Sequence, residues 1–275
     1  MQNTIDNTQA IAIGQRIRIE GQRYLDGIVF QIHHEERQTG PARYDVVLED
    51  GSIHRALSEW SLRSLPWALL GEVASAEEIA AALAKAATVT AQQQAAELDS
   101  RRRFDEQVAS FRTSPDFAHL AQGDDTYGGK LAAANIRKEL RRAWPKVKFS
   151  VRKNDYGSVR VTWLDGPTTD MVEAIACRYK AGRFDSMEDM YNYEVSPFNA
   201  VFGGSKYVFC SRDESDALVA KAIEQLYSTR LAYLTDAERP SADDFQHGRL
   251  WHVFVPGQAE DLQRLIRAQL NELVA

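Results

Sequence analysis

From Gly14 to Leu65 apolar and polar positions alternate with the period of two that marks half-buried strands. "QRIRIEG" sets Ile17 and Ile19 on one face, "GIVFQIHH" sets Ile28, Phe30 and Ile32, and "RYDVVLEDGSIHRAL" sets Tyr44, Val46 and Leu48. Asp50-Gly51, between two such runs, is a strong hairpin signal because the tight turn needs residues that tolerate positive φ. Short strands at this spacing predict a small closed or half-closed β-barrel over residues 14–66, with Tyr24, Phe30, Tyr44 and Trp60 supplying core aromatics. A polar, frayed segment over 1–13 precedes it.

The period then changes. Ser75 followed three residues later by Glu78 is a capping box, and an alanine-rich run without Gly or Pro follows. A helical connector over 75–112 is expected. Its stripe is thin (Ile79, Leu83, then Leu98, Phe104, Val108 and Phe111), which suits a partly exposed spacer or a homodimer seam.

After the turn-rich stretch 112–129 a second module is expected, over 126–275. "GKLAAANIRKELRRAWP" spaces Leu131, Ile136, Leu140 and Trp144 at helical intervals, and Pro145 ends the helix. "KFSVRKNDYGSVRVTWLDGP" follows as a two-stranded ribbon with Val147, Phe149, Val151, Val159, Val161 and Trp163 on its apolar face. A helix capped by Thr168 or Thr169, a strand in "SKYVFCS", a helix in "DESDALVAKAIEQLYSTR", a strand in "RLWHVFVP" and a final amphipathic helix complete the pattern. The fold class is therefore α+β: an N-terminal small SH3-like β-barrel, a long helical connector, and a C-terminal antiparallel sheet packed with helices.

Charge changes the picture in one place. The chain totals −6, which argues against indiscriminate attraction to nucleic acid, yet residues 130–153 carry nine basic side chains against Glu139 alone. On the helix, Arg137 and Arg141, and Lys138 and Arg142, stand four apart and form a basic surface. On the ribbon, alternation puts Lys148, Ser150, Arg152, Arg160 and Thr162 opposite the apolar face, with Tyr156 at the tip. Three readings stay open for this face: a grip on nucleic acid, a dock for an acidic protein surface, and a solvated outer sheet face. The candidate partner-binding residues are Arg137, Lys138, Arg141, Arg142, Lys148, Arg152, Tyr156 and Arg160.

No residue pattern points to a reaction. In "WLDGPT", turn chemistry accounts for Asp165, Gly166 and Pro167. His33 and His34 are neighbours in a strand and point to opposite faces, so together with Glu35, Glu36 and His54 they make a poor metal site. Cys177 and Cys210 are too few for a disulfide framework and read as buried, inert thiols. "FGGSKY" lacks the spacing of a phosphate loop and reads as a turn. No catalytic residue, metal or cofactor is expected. The N-terminus lacks a basic n-region and an apolar h-region, and no apolar run reaches the ~20 residues of a membrane span. A cytoplasmic protein is expected.

"LAAANIRKELRRAWPKVKFSVRKND", "GSVRVTWLDGPTTDMVEAI" and "FDSMEDMYNY" are similar to one of the large polyvalent protein-associated domains, modules of phage and conjugative-plasmid proteins. The N-terminal strand rhythm and "VVLEDGS" resemble SH3-like barrels of the Tudor and KOW type. The first resemblance implies mobile-element biology, where accessory proteins blunt restriction or CRISPR systems, and it brings no catalytic residues. The expectation is a non-enzymatic counter-defence protein that blocks or takes apart a host nucleoprotein complex. Its expected partner is a CRISPR surveillance complex ahead of a restriction enzyme. The alternative is a DNA- or RNA-binding accessory protein of plasmid transfer or maintenance.

Overall fold

The computed structural model describes residues 10–21, 24–34, 42–185, 190–192, 195–235 and 238–274. Residues 1–9 of the expected frayed segment, Glu35, Glu36 and part of "FDSMEDMYNY" lie outside the described residues. The chain divides into two compact units, Met1–Arg102 and Arg103–Ala275.

In the first unit β1 (Gln15–Ile19), β2 (Leu25–His33), β3 (Arg43–Leu48), β4 (Ile53–Ser58) and β5 (Trp67–Val73) form one antiparallel sheet in the order β4-β3-β2-β1-β5. The edge strands β4 and β5 are not paired with each other, so the expected barrel does not close among the described residues. Layering achieves the burial that closure was expected to provide. On one face Ile11, Ile17, Val29, Tyr44, Val46 and Leu48 pack with Leu62, from the short helix α1 (Glu59–Leu62). On the other face Ile28 and Val47 pack against Ala86, and Phe30 and Ile53 against Ile79, Ala82 and Leu83 of α2 (Ala76–Thr113). A bulge between Val29 and Gln31 moves Ile32 to the first face, away from Ile28 and Phe30. Of the four aromatics expected inside, Tyr44 is buried, Phe30 lies under α2, and Tyr24 and Trp60 face solvent.

Local signals are realised as written. Ser52 donates through its backbone N–H and its hydroxyl to Asp50, and Gly51 takes φ +88°. Ser75 and Glu78 exchange the two hydrogen bonds of the capping box, at 2.8 and 3.2 Å. The beginning of α2 is thus a layer of the first unit. Its middle, residues 91–107, is exposed almost throughout, and Leu98 is open to solvent.

The second unit holds two cores. The first is built by α3 (Lys130–Ala143), β6 (Phe149–Lys153), β7 (Ser158–Leu164), α4 (Thr169–Ala176), α5 (Pro197–Phe202) and β10 (Tyr207–Asp213), beside a small ladder of β8 (Arg183–Asp185) and β9 (Met190–Asn192). Ala132, Ala133, Ile136 and Leu140 of α3 cover Val151, Val159, Val161 and Trp163 of the sheet. Phe111, from the end of α2, joins Phe117, Phe198 and Phe202 in an aromatic cluster with centroids 4.9–6.3 Å apart, and Val108 packs against the same core. The sheet order is β10-β7-β6, and β10 runs parallel to β7, so the sheet is mixed where an antiparallel one was expected. The connection from β7 to β10 contains α4 and α5, which is the length a parallel crossover requires.

The second core joins α6 (Asp216–Ser228), α7 (Ala242–Gln246) and α8 (Leu262–Glu272) through Leu218, Ile223, Leu226, Phe245, Leu265 and Ile266. The expected strand in "RLWHVFVP" is not formed. Gly248 at φ +67° and His252 at φ +62° break the extended run, and Trp251 and Phe254 are exposed. Buried Arg212 links the two cores. Its guanidinium donates to the carbonyls of Gly166, Leu270 and Leu273 at 2.9–3.1 Å.

Candidate functional site

The antiparallel register of β6 and β7 sets Arg152 directly opposite Arg160 and Ser150 opposite Thr162. Alternation turns Val151, Val159, Val161 and Trp163 under α3, so these four polar residues form the other face of the sheet. Arg152 and Arg160 are exposed, and neither has an ion-pair partner among the described residues. Like charges directly opposite on a ladder repel. Ser150, Arg152, Arg160 and Thr162 line a shallow recess of about 240 Å³.

β10 extends this face. Phe209 sits beside Arg160 in the parallel register and is 49% exposed, and the Arg160 guanidinium carbon lies 6.0 Å from its ring centroid. Tyr207, two residues earlier on the same face, stacks with Phe209 at 6.2 Å and an interplanar angle of 16°. Lys148, just before β6, is exposed and shares the parity of Ser150 and Arg152. Asp213, exposed at the end of β10, brings a carboxylate to the edge of this face.

The tip of the ribbon is held from behind. The carbonyl of Gly157 accepts from the Ser205 hydroxyl at 2.6 Å and from the Lys206 N–H at 2.9 Å. A Cβ on Gly157 would lie 2.4 Å from the Tyr127 carbonyl oxygen. In front of this anchor Tyr156 adopts φ 58°, ψ 25°, a left-handed conformation costly for a bulky residue, and is 91% exposed. It projects into solvent and does not fold back on the hairpin.

The four candidate basic residues of α3, Arg137, Lys138, Arg141 and Arg142, do not share this face. α3 lies against the apolar side, so the sheet stands between its outer surface and Arg152 and Arg160. Arg137 is committed to the β6 edge, donating to the Val151 carbonyl, and Lys138 donates to the His119 carbonyl at 3.4 Å. Arg141 and Arg142 are exposed on the last turn of α3. The structure therefore brings together Lys148, Arg152 and Arg160, sets Tyr156 at their tip, and places Arg137, Lys138, Arg141 and Arg142 on another layer. It adds Phe209 and Tyr207. Their alternation in "SKYVFCS" was visible, but the parallel register that sets Phe209 beside Arg160 was not.

Groups that could have suggested chemistry have structural work. Asp165, at φ +55°, accepts the Ser215 N–H at 2.8 Å, and Thr168 caps α4. Glu139 is buried and accepts from Arg178 and Tyr179, both at 2.6 Å. Burial and that carboxylate push the Tyr179 phenol far above its ordinary range. Burial pushes the Cys210 thiol up to about 12 and also raises that of Cys177, although Cys177 is exposed where a buried thiol was expected. His33 pairs with Asp45 at 3.1 Å, and His54 packs edge-on against Trp67. In "FGGSKY" a Cβ on Gly204 would lie 2.1 Å from the Thr126 carbonyl oxygen, so the turn is a close-packing device. Among the described residues no three His, Cys, Asp or Glu side chains converge as a metal site, and no helix is long and apolar enough to cross a membrane.

No curated protein and no solved structure matches the chain. Residues 8–115 match the model of Large polyvalent protein associated domain 30, and residues 127–215 that of Large polyvalent protein associated domain 29. The comparisons give no support to the SH3-like likeness of residues 14–66. Residues 216–274, which supply most of the second core, lie beyond both matches. The chain thus carries two large polyvalent protein associated domains, domain 30 through the end of α2 and domain 29 around the sheet that bears Arg152 and Arg160.

Proposed function

We propose that the chain is a non-enzymatic, cytoplasmic binding protein of a phage or plasmid, and that the open face of its C-terminal sheet engages nucleic acid. An accessory protein of plasmid transfer or maintenance fits this reading best. The observation that carries it is the opposed Arg152 and Arg160, without an ion-pair partner among the described residues, on a face that also presents Phe209. Two guanidiniums held together without a carboxylate cost stability in isolation and gain it when a phosphate lies between them. The structural ties of Asp165, Glu139 and the histidines support a binding role over a reaction. The test is a salt series of binding to short duplexes and single strands. Three cationic contacts predict affinity that falls with salt at a log–log slope of roughly −2 for single strands. Absence of binding at low salt would contradict the reading.

A second reading has its own support in Tyr156. An aromatic side chain that projects 91% exposed from an anchored tip suits a pocket on a protein. In this reading the chain is a counter-defence protein that docks on a host nucleoprotein complex, a CRISPR surveillance complex before a restriction enzyme. Tyr156→Ala would then abolish phage protection in a defended host while leaving oligonucleotide binding unchanged. Equal protection by Tyr156→Ala and the unaltered chain would remove this role for Tyr156.

A further inference from the structure

Resting on the nucleic-acid reading above, we infer that the β10-β7-β6 face takes a single strand, with a phosphate in the Ser150–Arg152–Arg160–Thr162 recess and an unpaired base on Phe209. The first argument is steric. A two-stranded ribbon enters a major groove, but here β10 is paired along the whole of β7. Three strands about 4.8 Å apart, with their outer side chains, exceed the roughly 12 Å width of the groove. The ribbon therefore cannot insert, and duplex DNA can meet this face only through its outer phosphates.

The second argument is chemical. The recess is lined by two guanidiniums and two hydroxyls, all able to donate to a phosphodiester oxygen. One strand further across the sheet stands Phe209, its ring backed by Tyr207 and flanked by Arg160. A cationic recess and an exposed ring on adjacent strands match the alternation of phosphate and base along a single strand. In a duplex the bases are already stacked and the ring would have nothing to bind. Charge complementarity restricts the occupant further. The chain is acidic overall, so a second copy would bring mainly like-charged carboxylates to the rest of the surface and gain little from this small cationic face.

The experiment is fluorescence anisotropy on the full chain with a dT 15-mer, an rU 15-mer and a 15-base-pair duplex, comparing Phe209→Ala, Phe209→Tyr and Arg160→Gln. Both positions are exposed, and each variant is first shown to melt no lower than the wild type. The inference predicts that a single strand binds more tightly than duplex and that Phe209→Ala weakens it about tenfold or more, with an unchanged salt slope. Phe209→Tyr restores binding, and Arg160→Gln makes the slope shallower by about 0.7. If duplex binds as well as single strands and Phe209→Ala is neutral, the single-strand inference falls while the nucleic-acid reading stands. Single-strand binding that ignores Phe209→Ala also overturns the inference. If neither form binds at low salt, both fall.

Discussion

Arg152 and Arg160 show how one pair of residues can work against stability and for function. Because they face each other across the ladder without a carboxylate partner among the described residues, replacing one relieves repulsion. Arg152→Thr is expected to raise stability by about 0.2–1 kcal/mol in urea unfolding while weakening nucleic-acid binding. A loss of stability would mean that the arginine is held by packing. Asp45 illustrates the opposite economy. Burial pushes its carboxyl up, but the N–H of Ala56 at 2.8 Å, His33 and Arg55 outweigh burial and hold it below the usual carboxylate range. A depressed folded-state value contributes stability that is complete above the unfolded value near 3.9 and is lost as pH falls through the lower folded value. Asp45→Asn should therefore flatten the acid limb of the stability profile and lower stability at neutral pH. An unchanged acid limb would contradict this assignment. At this scale local chemistry was legible, as in Asp50-Gly51 and Ser75 with Glu78, since turn and cap geometry depend on neighbours three residues away. The left-handed backbone of Tyr156 was not legible, because it depends on Ser205 and Lys206, about fifty residues downstream, holding Gly157.

Among the elements, periodicity identified α2 with its capping box, α3, α6, α8, and the ribbon of β6 and β7. It did not reveal what meets the thin stripe of α2. Ile79, Ala82, Leu83 and Ala86 suffice because the opposing sheet presents Ile28, Phe30, Val47 and Ile53, and because the hairpin glycine lets the helix come close. A Cβ on Gly51 would lie 2.8 Å from a Val89 methyl, and its φ of +88° disfavours any side chain. Gly51→Ala is expected to destabilise the first unit by about 1–3 kcal/mol in denaturant unfolding. The strand expected in "RLWHVFVP" fails on its own backbone, at His252 with φ +62°. The parallel placement of β10 has another cause: a pairing partner far away in sequence leaves no local trace. Arg212 belongs to this class. Its four carbonyl acceptors, Asp165, Gly166, Leu270 and Leu273, come from the β7–α4 turn and from the end of α8, and Arg212→Met should cost about 3 kcal/mol by leaving them unsatisfied. A change under about 0.5 kcal/mol would show that this link between the cores is dispensable.

For the whole molecule, residue patterns anticipated a barrel over 14–66, a connector over 75–112 and an α+β unit over 126–275, whereas one family match spans 8–115 and the other ends at 215. The local concentration of positive charge was also legible, but its division was not. Sequence places eight candidate residues within 24 positions, whereas folding puts Arg137, Lys138, Arg141 and Arg142 on one layer and Lys148, Arg152 and Arg160 on another, with Tyr156 at the tip. The working surface is accordingly smaller than the charge run, and it gains the ring of Phe209. The most direct test of that surface is single-strand affinity at low salt for the double variant Arg152→Glu/Arg160→Glu, measured beside its melting temperature. The predicted result is unchanged melting with binding reduced by two orders of magnitude or more, about 3 kcal/mol for two charge reversals facing phosphates. Full affinity in a variant that melts like the wild type would contradict the claim that this face is the site.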